Sequence, residues 1–333
     1  MRLGSVRELK QRIFQEILPE LLFTEAFKMT IAGFGEEPPS SVPHVALGAA
    51  VGRRPGQYAL AIRLFDRSPA SLRLAKRAAA EAAGEFEALF VPPLWAPRRP
   101  PAAGSFRQRV RPLSPGYSIG HRLVSAGTLG AFVVDQNDYI CALSNNHVLA
   151  ASNRGRRGDP IFQNAVADAG HARRSNVVGY LHRRAKLLAN GNVVDAAVST
   201  VDGSLDIDPT HAGQMVTTWR QDGPLPGEGV WKVGRTTGVT RGVVRAIDVD
   251  GVRIDYSEAG DGSQMCTFDG QIEILGAGST PIFSRGGDSG SVILDAGDSA
   301  VGLLFAGNRA GLTYANPISA VFRSLGLTGM FFG

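Results

Sequence analysis

Cysteine is nearly missing from this sequence: 333 residues hold two, Cys141 and Cys266. Two thiols exclude a multi-bridge disulfide framework. The expectation that follows is an intracellular, cytoplasmic protein, because reducing compartments keep thiols free. Long apolar runs are missing too, and none reaches the roughly 20 residues that span a bilayer. The N-terminus carries Arg2, Arg7, Glu8, Lys10 and Arg12 and no uninterrupted apolar core, so it does not read as a signal peptide. Neither cysteine belongs to a metal-ligand spacing and the six histidines are scattered. No metal and no cofactor is expected. Acidic residues vanish between Glu87 and Asp135, leaving a basic stretch in a chain whose net charge is a mild +5. No nucleic-acid motif accompanies it, so a nucleic-acid partner is not expected.

The hydrophobic class makes up 44% of the chain, enough for a large core and more than one domain. Ser5-Val6-Arg7-Glu8 reads as a capping box, with Leu9, Ile13, Phe14 and Ile17 at helical spacing up to Pro19. A second short helix is expected from Glu20 to about Met29. Two strand-like runs, Val45 to Val51 and Tyr58 to Phe65, flank the turn Gly52-Arg53-Arg54-Pro55-Gly56 and predict a hairpin. Ser68-Pro69 caps an alanine-rich helix to about Ala83, and Phe86 to Val91 reads as a returning strand. Residues 1–91 are therefore expected to form a small α/β module with no visible chemistry. Its expected roles are binding a regulatory or substrate protein, restraining the rest of the chain, or assembling homo-oligomers.

Residues 92–115 hold seven prolines and Arg98, Arg99, Arg107, Arg109 and Arg111. This composition predicts a solvated linker without helix or central strand. From residue 116 to the C-terminus, short apolar runs alternate with Gly, Pro, Asn and Asp turns, the pattern of an all-β barrel domain. Ile318, Val321, Phe322 and Leu325 add a C-terminal helix.

Chemistry concentrates at three places in that region. Gly286-Gly287-Asp288-Ser289-Gly290-Ser291 precedes the apolar Val292-Ile293-Leu294 and presents a serine on a glycine-rich turn at the start of a strand. A serine hydroxyl becomes a nucleophile only when a base takes its proton and N–H groups await the oxyanion. His147 lies just past the strand-like Tyr139 to Leu143, and Asp195 stands inside the apolar run 193–198. A buried carboxylate needs a partner, and an imidazole held by one is oriented for proton transfer. Asp159, Asp168, Asp206 and Asp208 sit in polar contexts and are expected to be solvated. His121, the rival histidine, lacks an apolar lead-in.

The order His147, Asp195, Ser289 in these settings resembles the trypsin-like, chymotrypsin-fold serine proteases over roughly Ser118 to Leu327. Val233-Gly234-Arg235-Thr236-Thr237-Gly238 resembles the first hairpin of the second barrel in alpha-lytic-type bacterial members. Val301 to Gly307 is similar to the strand after the nucleophile. The wording Ser144-Asn145-Asn146-His147 is most similar to plant narrow-leaf proteases and their bacterial relatives. Trp231, Arg241 and Val148 stand where many relatives carry cysteine. The resemblance implies a mainly β fold, a double β-barrel after the N-terminal module, acting as a serine endopeptidase on protein or peptide substrates. It implies a Ser289–His147–Asp195 triad, an oxyanion hole from the N–H groups of Gly287 and Ser289, and Asp288 as a structural ion-pair partner. It places Phe283, Ser284 and Arg285 at the base of the specificity pocket, with Phe305, Ala306 and Gly307 along its wall. With no acid there, a small or apolar residue before the cut is expected. Activation by linker cleavage, a latent scaffold that binds a partner, and esterase chemistry on the same triad remain alternatives.

Overall fold

The expected hairpin of residues 45–65 is present, but it is built into a larger sheet. The computed structural model describes residues 1–22, 42–92, 94–95, 105–169, 172–256, 264–277, 282–308 and 310–333. Strand β1 (Val45–Val51) pairs antiparallel with β2 (Tyr58–Leu64). Helix α2 (Pro69–Glu81), capped by the Ser68 side chain accepting from the Ser71 N–H, leads into β3 (Phe86–Phe90), which runs parallel to β2. The preceding helix α1 (Leu3–Arg12) departs from expectation: its N-cap is Arg2 without a side-chain bond, and Ser5 lies inside the helix. Pro19 does not end it either. A π-turn over Ile13–Ile17 carries the helix on to Leu22, a local rewinding that accommodates the donor a proline lacks. The rest of the helix expected to reach Met29 lies outside the described residues.

Leu94 and Trp95 form strand β4, which lies between two other strands, parallel to one and antiparallel to the other. The linker expectation excluded a central strand in 92–115. The prolines at 92 and 93 stand outside the pair, however, and Leu94 and Trp95 keep their N–H groups, so a two-residue strand can bond on both edges.

The first barrel is built from β5 (Ser118–His121), β6 (Gly127–Thr128), β7 (Ala131–Asp135), β8 (Ile140–Ser144), β9 (Pro160–Phe162), β10 (Val177–Arg184) and β11 (Ala197–Thr200). Pairings run β7–β8–β11–β10–β9–β5–β6, and the chain passes from β6 to β7 through Leu129-Gly130 without a strand pairing between them, so this sheet is a half-barrel. The second barrel uses β12 (Gly229–Gly234), the 13-residue β13 (Gly238–Asp250), β16 (Gln271–Gly276), β17 (Val292–Asp295), β18 (Ala300–Gly307) and β19 (Leu312–Pro317). Its pairings close in the order β12–β13–β16–β19–β18–β17–β12. The hairpin β14 (Val252–Asp255) and β15 (Met265–Phe268) projects between β13 and β16. The expected C-terminal helix spans Ile318–Leu325, and the following β20 (Leu327–Met330) returns to pair with β7 of the first barrel.

Strand β13 is long enough to serve two purposes. One edge pairs with β16 from Gly242 to Val249, and the other pairs first with β12 and then with β1, Ala50 opposite Ala246 and Leu47 opposite Asp250. The N-terminal strands are thus added to the second barrel's sheet. One apolar cluster runs from Val6, Leu9, Ile13, Leu74 and Ala78 into Val244, Ile272, Phe283, Ile293 and Leu304. Beneath it, Arg63 from β2 is fully buried against Glu273 of β16, with Nε 2.8 Å from Oε2 and Nη2 2.8 Å from Oε1, and Tyr314 donates to the same carboxylate at 2.6 Å.

Candidate active site

His147 owes its position to two elements. Strand β8 ends at Ser144, and a single turn of helix α3 (Asn146–Leu149) follows at once, buried through Val148 and Leu149. The side chain is left 10% exposed. Asp195 sits two residues before β11, fully buried. Since β11 pairs with β8, Ala197 opposite Ser144, the carboxylate is delivered beside the helix turn. His147 Nδ1 is 2.5 Å from Asp195 Oδ2, and the His147 backbone N–H donates to Oδ1 at 3.1 Å. The residue is therefore held at two points, once through its ring and once through its backbone.

Asp195 is clamped in turn. Tyr256 donates its hydroxyl to Oδ2 at 2.7 Å. The Asp195 N–H donates to Asn316 Oδ1 at 3.0 Å, its carbonyl accepts from Asn145 Nδ2 at 2.6 Å, and Asn316 Nδ2 donates to Gln271 Oε1 at 2.7 Å. The Tyr256 phenol is pushed well above its ordinary value, chiefly by burial and then by the charge of Asp195, so it remains a donor.

Ser289 comes from the second barrel, on the turn that opens β17. Gly287 and Gly290 adopt φ of 95° and 96°, which only glycine reaches without strain. At Gly290 a Cβ would collide with the Thr128 carbonyl and the Ser144 hydroxyl, and at Gly287 with the Arg235 guanidinium and Thr236. The turn is pinned across the barrel interface: Thr128 N–H donates to Ser289 O at 2.8 Å and Thr128 Oγ1 to Gly287 O at 2.8 Å. Ser289 Oγ lies 3.5 Å from the Phe305 carbonyl. Asp288 N–H bonds Arg285 O and Gly290 N–H bonds Leu304 O, whereas among the described residues no acceptor meets the N–H of Gly287 or Ser289. Those two donors are free to meet a ligand.

The neighbours of the turn are structural. Asp288 is fully buried, accepts the N–H groups of Thr236, Thr237 and Arg285, and stands 3.5 Å from Lys232 Nζ. Burial lowers the Lys232 ammonium, and Asp288 opposes that shift. Arg235 forms a bidentate pair with Asp168, whose side chain is 4% exposed and also accepts from Ser118 Oγ. Asp168 was expected to be solvated. Its polar sequence context concealed a partner from the other barrel. Asp159 likewise holds His121, which is fully buried with Nε2 3.1 Å from Oδ2. Burial depresses the His121 imidazole.

The expected pocket residues divide. Ser284 Oγ bonds Thr313 Oγ1 at 2.6 Å and lies against Gly307, so these form one small, uncharged wall. Arg285 is exposed, and Ala306 is buried beside Gly307. Phe283 is fully buried in the core shared with α1, and Phe305 packs against Phe268, ring centroids 4.8 Å apart and tilted by 49°, in a separate cluster. The structure does not bring the two rings together.

Sequence reasoning missed Tyr256, Asn316 and Gln271, none of which carries a local motif. Asn145 stood inside the quoted Ser144–His147 wording without an assigned role. Nor did spacing reveal that Asp135, Cys141 and His182 gather with ligand atoms within 4.8 Å of one another. There Asp135 already accepts the N–H groups of Asn137 and Tyr139 and lies 3.2 Å from His182 Nε2. Burial, reinforced by Asp135, pushes the Cys141 thiol to about 12, far from the thiolate a metal prefers.

No family model matches the sequence, and no curated protein matches it. Solved structures do. A Cellulomonas bogoriensis chymotrypsin is 19% identical with a TM-score of 0.45, over 66% of this chain and 99% of that one. Protease A of Thermobifida fusca is 19% identical with a TM-score of 0.46, over 66% and 98%. A serine protease specific for glutamic acid is 21% identical with a TM-score of 0.46, over 66% and 100%. The fold, by its own strand pairing, is a mainly β, chymotrypsin-like double barrel with an N-terminal α/β segment.

Proposed function

We propose that this chain is a serine endopeptidase that hydrolyses peptide bonds through an acyl-enzyme on Ser289. The observation that carries the reading is the His147–Asp195 contact at 2.5 Å, with Asp195 fully buried and doubly anchored, across the barrel interface from a positive-φ glycine turn bearing Ser289. In this mechanism His147 takes the Ser289 proton as the oxygen attacks the carbonyl. Asp195 fixes the tautomer and stabilises the imidazolium, and His147 then returns the proton to the leaving amine. Gly287 and Ser289 N–H groups receive the oxyanion; each such donor is worth on the order of 3 kcal/mol. Water repeats the cycle to release the acyl group. The uncharged wall of Ser284, Gly307 and Thr313 supports a small or apolar residue before the cut. Two buried, unpaired thiols support a cytoplasmic setting, and the Ser144–His147 wording supports kinship with plant narrow-leaf proteases and their bacterial relatives. Among the described residues no helix is long and apolar enough to cross a membrane.

The test is the intact mass of the wild type and of Ser289→Ala, each with and without a fluorophosphonate. One adduct on the wild type alone is expected. No adduct on either removes the hydrolase reading and leaves a scaffold.

A further inference from the structure

We infer that Leu94 and Trp95 determine specificity at the site proposed above, by filling the strand edge that a peptide would need beyond its second residue before the cut. The inference rests on Ser289 being the nucleophile, and it concerns how much of a substrate the groove can read.

The argument starts from strand β18, whose two edges are used differently. One is covered throughout by β19, from Gly302 opposite Pro317 to Gly307 opposite Thr313. On the other, Leu303 pairs with Val292 of β17, and Leu304 bonds both Ser291 O and Gly290 N–H. There the edge reaches the nucleophile, with the Phe305 carbonyl 3.5 Å from Ser289 Oγ. Two residues further on, the edge is occupied again: Gly307 pairs antiparallel with Trp95. An acyl segment leaving Ser289 along β18 therefore finds backbone to pair with only at Phe305 and Ala306, about 7 Å of strand. Its third residue meets the Trp95 backbone.

Strand β4 is held as part of the sheet. Leu94 and Trp95 pair parallel with Ile254 and Asp255 of β14. Leu94 is 2% exposed, in the cluster that contains Phe305, Ala306, Tyr256 and Phe268. Asn308 Nδ2 reaches the Pro92 carbonyl at 3.5 Å. A peptide would have to exchange these contacts for its own, so pairing beyond the second residue brings no net gain in binding.

The experiment uses the full chain and peptide anilides with one to four residues before the scissile bond, with rates expressed per Ser289 site titrated by fluorophosphonate. In the wild type kcat/KM is expected to rise from one residue to two and then stay within threefold. In Trp95→Pro, which removes the backbone donor and loosens β4, extension from two residues to four is expected to raise kcat/KM at least tenfold. A wild type that gains tenfold from that same extension overturns the inference, as does a titratable Trp95→Pro with a flat profile. If Trp95→Pro fails to fold, Asn308→Ala weakens the same strand from outside, and the wild-type profile still decides. Failure to titrate the wild type instead rejects the nucleophile assignment.

Discussion

The Tyr256 hydroxyl lies 2.7 Å from Asp195 Oδ2, the same oxygen that stands 2.5 Å from His147 Nδ1. One carboxylate oxygen thus serves a phenol and an imidazole, and the phenol comes from the end of β14, 61 residues away in sequence. Removing the hydroxyl leaves Asp195 buried with one donor fewer, at a cost of about 1–3 kcal/mol. Tyr256→Phe is expected to lower kcat about tenfold with KM little changed, because the loss falls on orienting His147. Steady-state kinetics on a peptide anilide separate the two constants.

If His147 and Ser289 act as a unit, their losses cannot add. Ser289→Ala and His147→Ala are each expected to reduce kcat by about a million-fold, and the double variant by no more than either single change. Additive losses in kcat across the three variants would show that the two side chains work separately.

Gly290 carries a backbone constraint independent of the triad. With φ at 96° and the Thr128 carbonyl and Ser144 hydroxyl in the way of any Cβ, Gly290→Ala is expected to cost more than about 2 kcal/mol. Urea denaturation measures the loss, and fluorophosphonate labelling should slow with it, since the Thr128–Ser289 bond is displaced.

The barrels, the terminal helix and the His147, Asp195 and Ser289 settings were legible because each rests on local pattern: alternation, turn residues, or a polar group in an apolar run. What the sequence did not reveal is what arrives from elsewhere in the chain. Asp168 reads as a turn residue until Arg235 reaches it across the barrel interface, and Tyr256 is an ordinary inward residue until β14 ends beside Asp195. Leu94-Trp95 is too short for any period to mark. The extension of β13 to pair with β1 left no signature either, because a 13-residue strand and two shorter ones share the same alternation.

That extension makes residues 1–91 part of the second barrel's stability. Arg63 and Glu273 are both fully buried and bonded at two points. Removing one partner strands a charge, at about 3–5 kcal/mol, whereas replacing both with apolar residues of similar volume is far milder. Arg63→Met is therefore expected to destabilise strongly, and Arg63→Met with Glu273→Leu and Tyr314→Phe, which also removes the hydroxyl that Glu273 accepts from, to recover most of the loss in thermal unfolding. A chain starting at residue 116 exposes Val244, Ile272 and Ile274, which α1 and β1 help cover, and is expected to aggregate on expression.

Acid sensitivity follows from His211. Its ring is almost fully buried, with Nε2 2.7 Å from the Gly130 carbonyl and Nδ1 buried without a partner. Nε2 must carry the proton, and adding a second to Nδ1 would place a charge in the core that the backbone of Gly130 and Pro209 and the charge of Asp208 offset only in part. Burial, the main cause, lowers this imidazole from 6.5 to about 4. The unfolded chain then binds more protons than the native one between those values, so stability falls as pH drops through the window. It is fully present above pH about 6.5, and at pH 5 this residue alone accounts for a loss of about 2 kcal/mol. His211→Gln, which can still donate to Gly130, is expected to flatten that part of the profile. Urea midpoints at pH 7 and pH 5 test it: the wild type should lose more than the variant by about that amount, and equal losses would place the acid-sensitive group elsewhere.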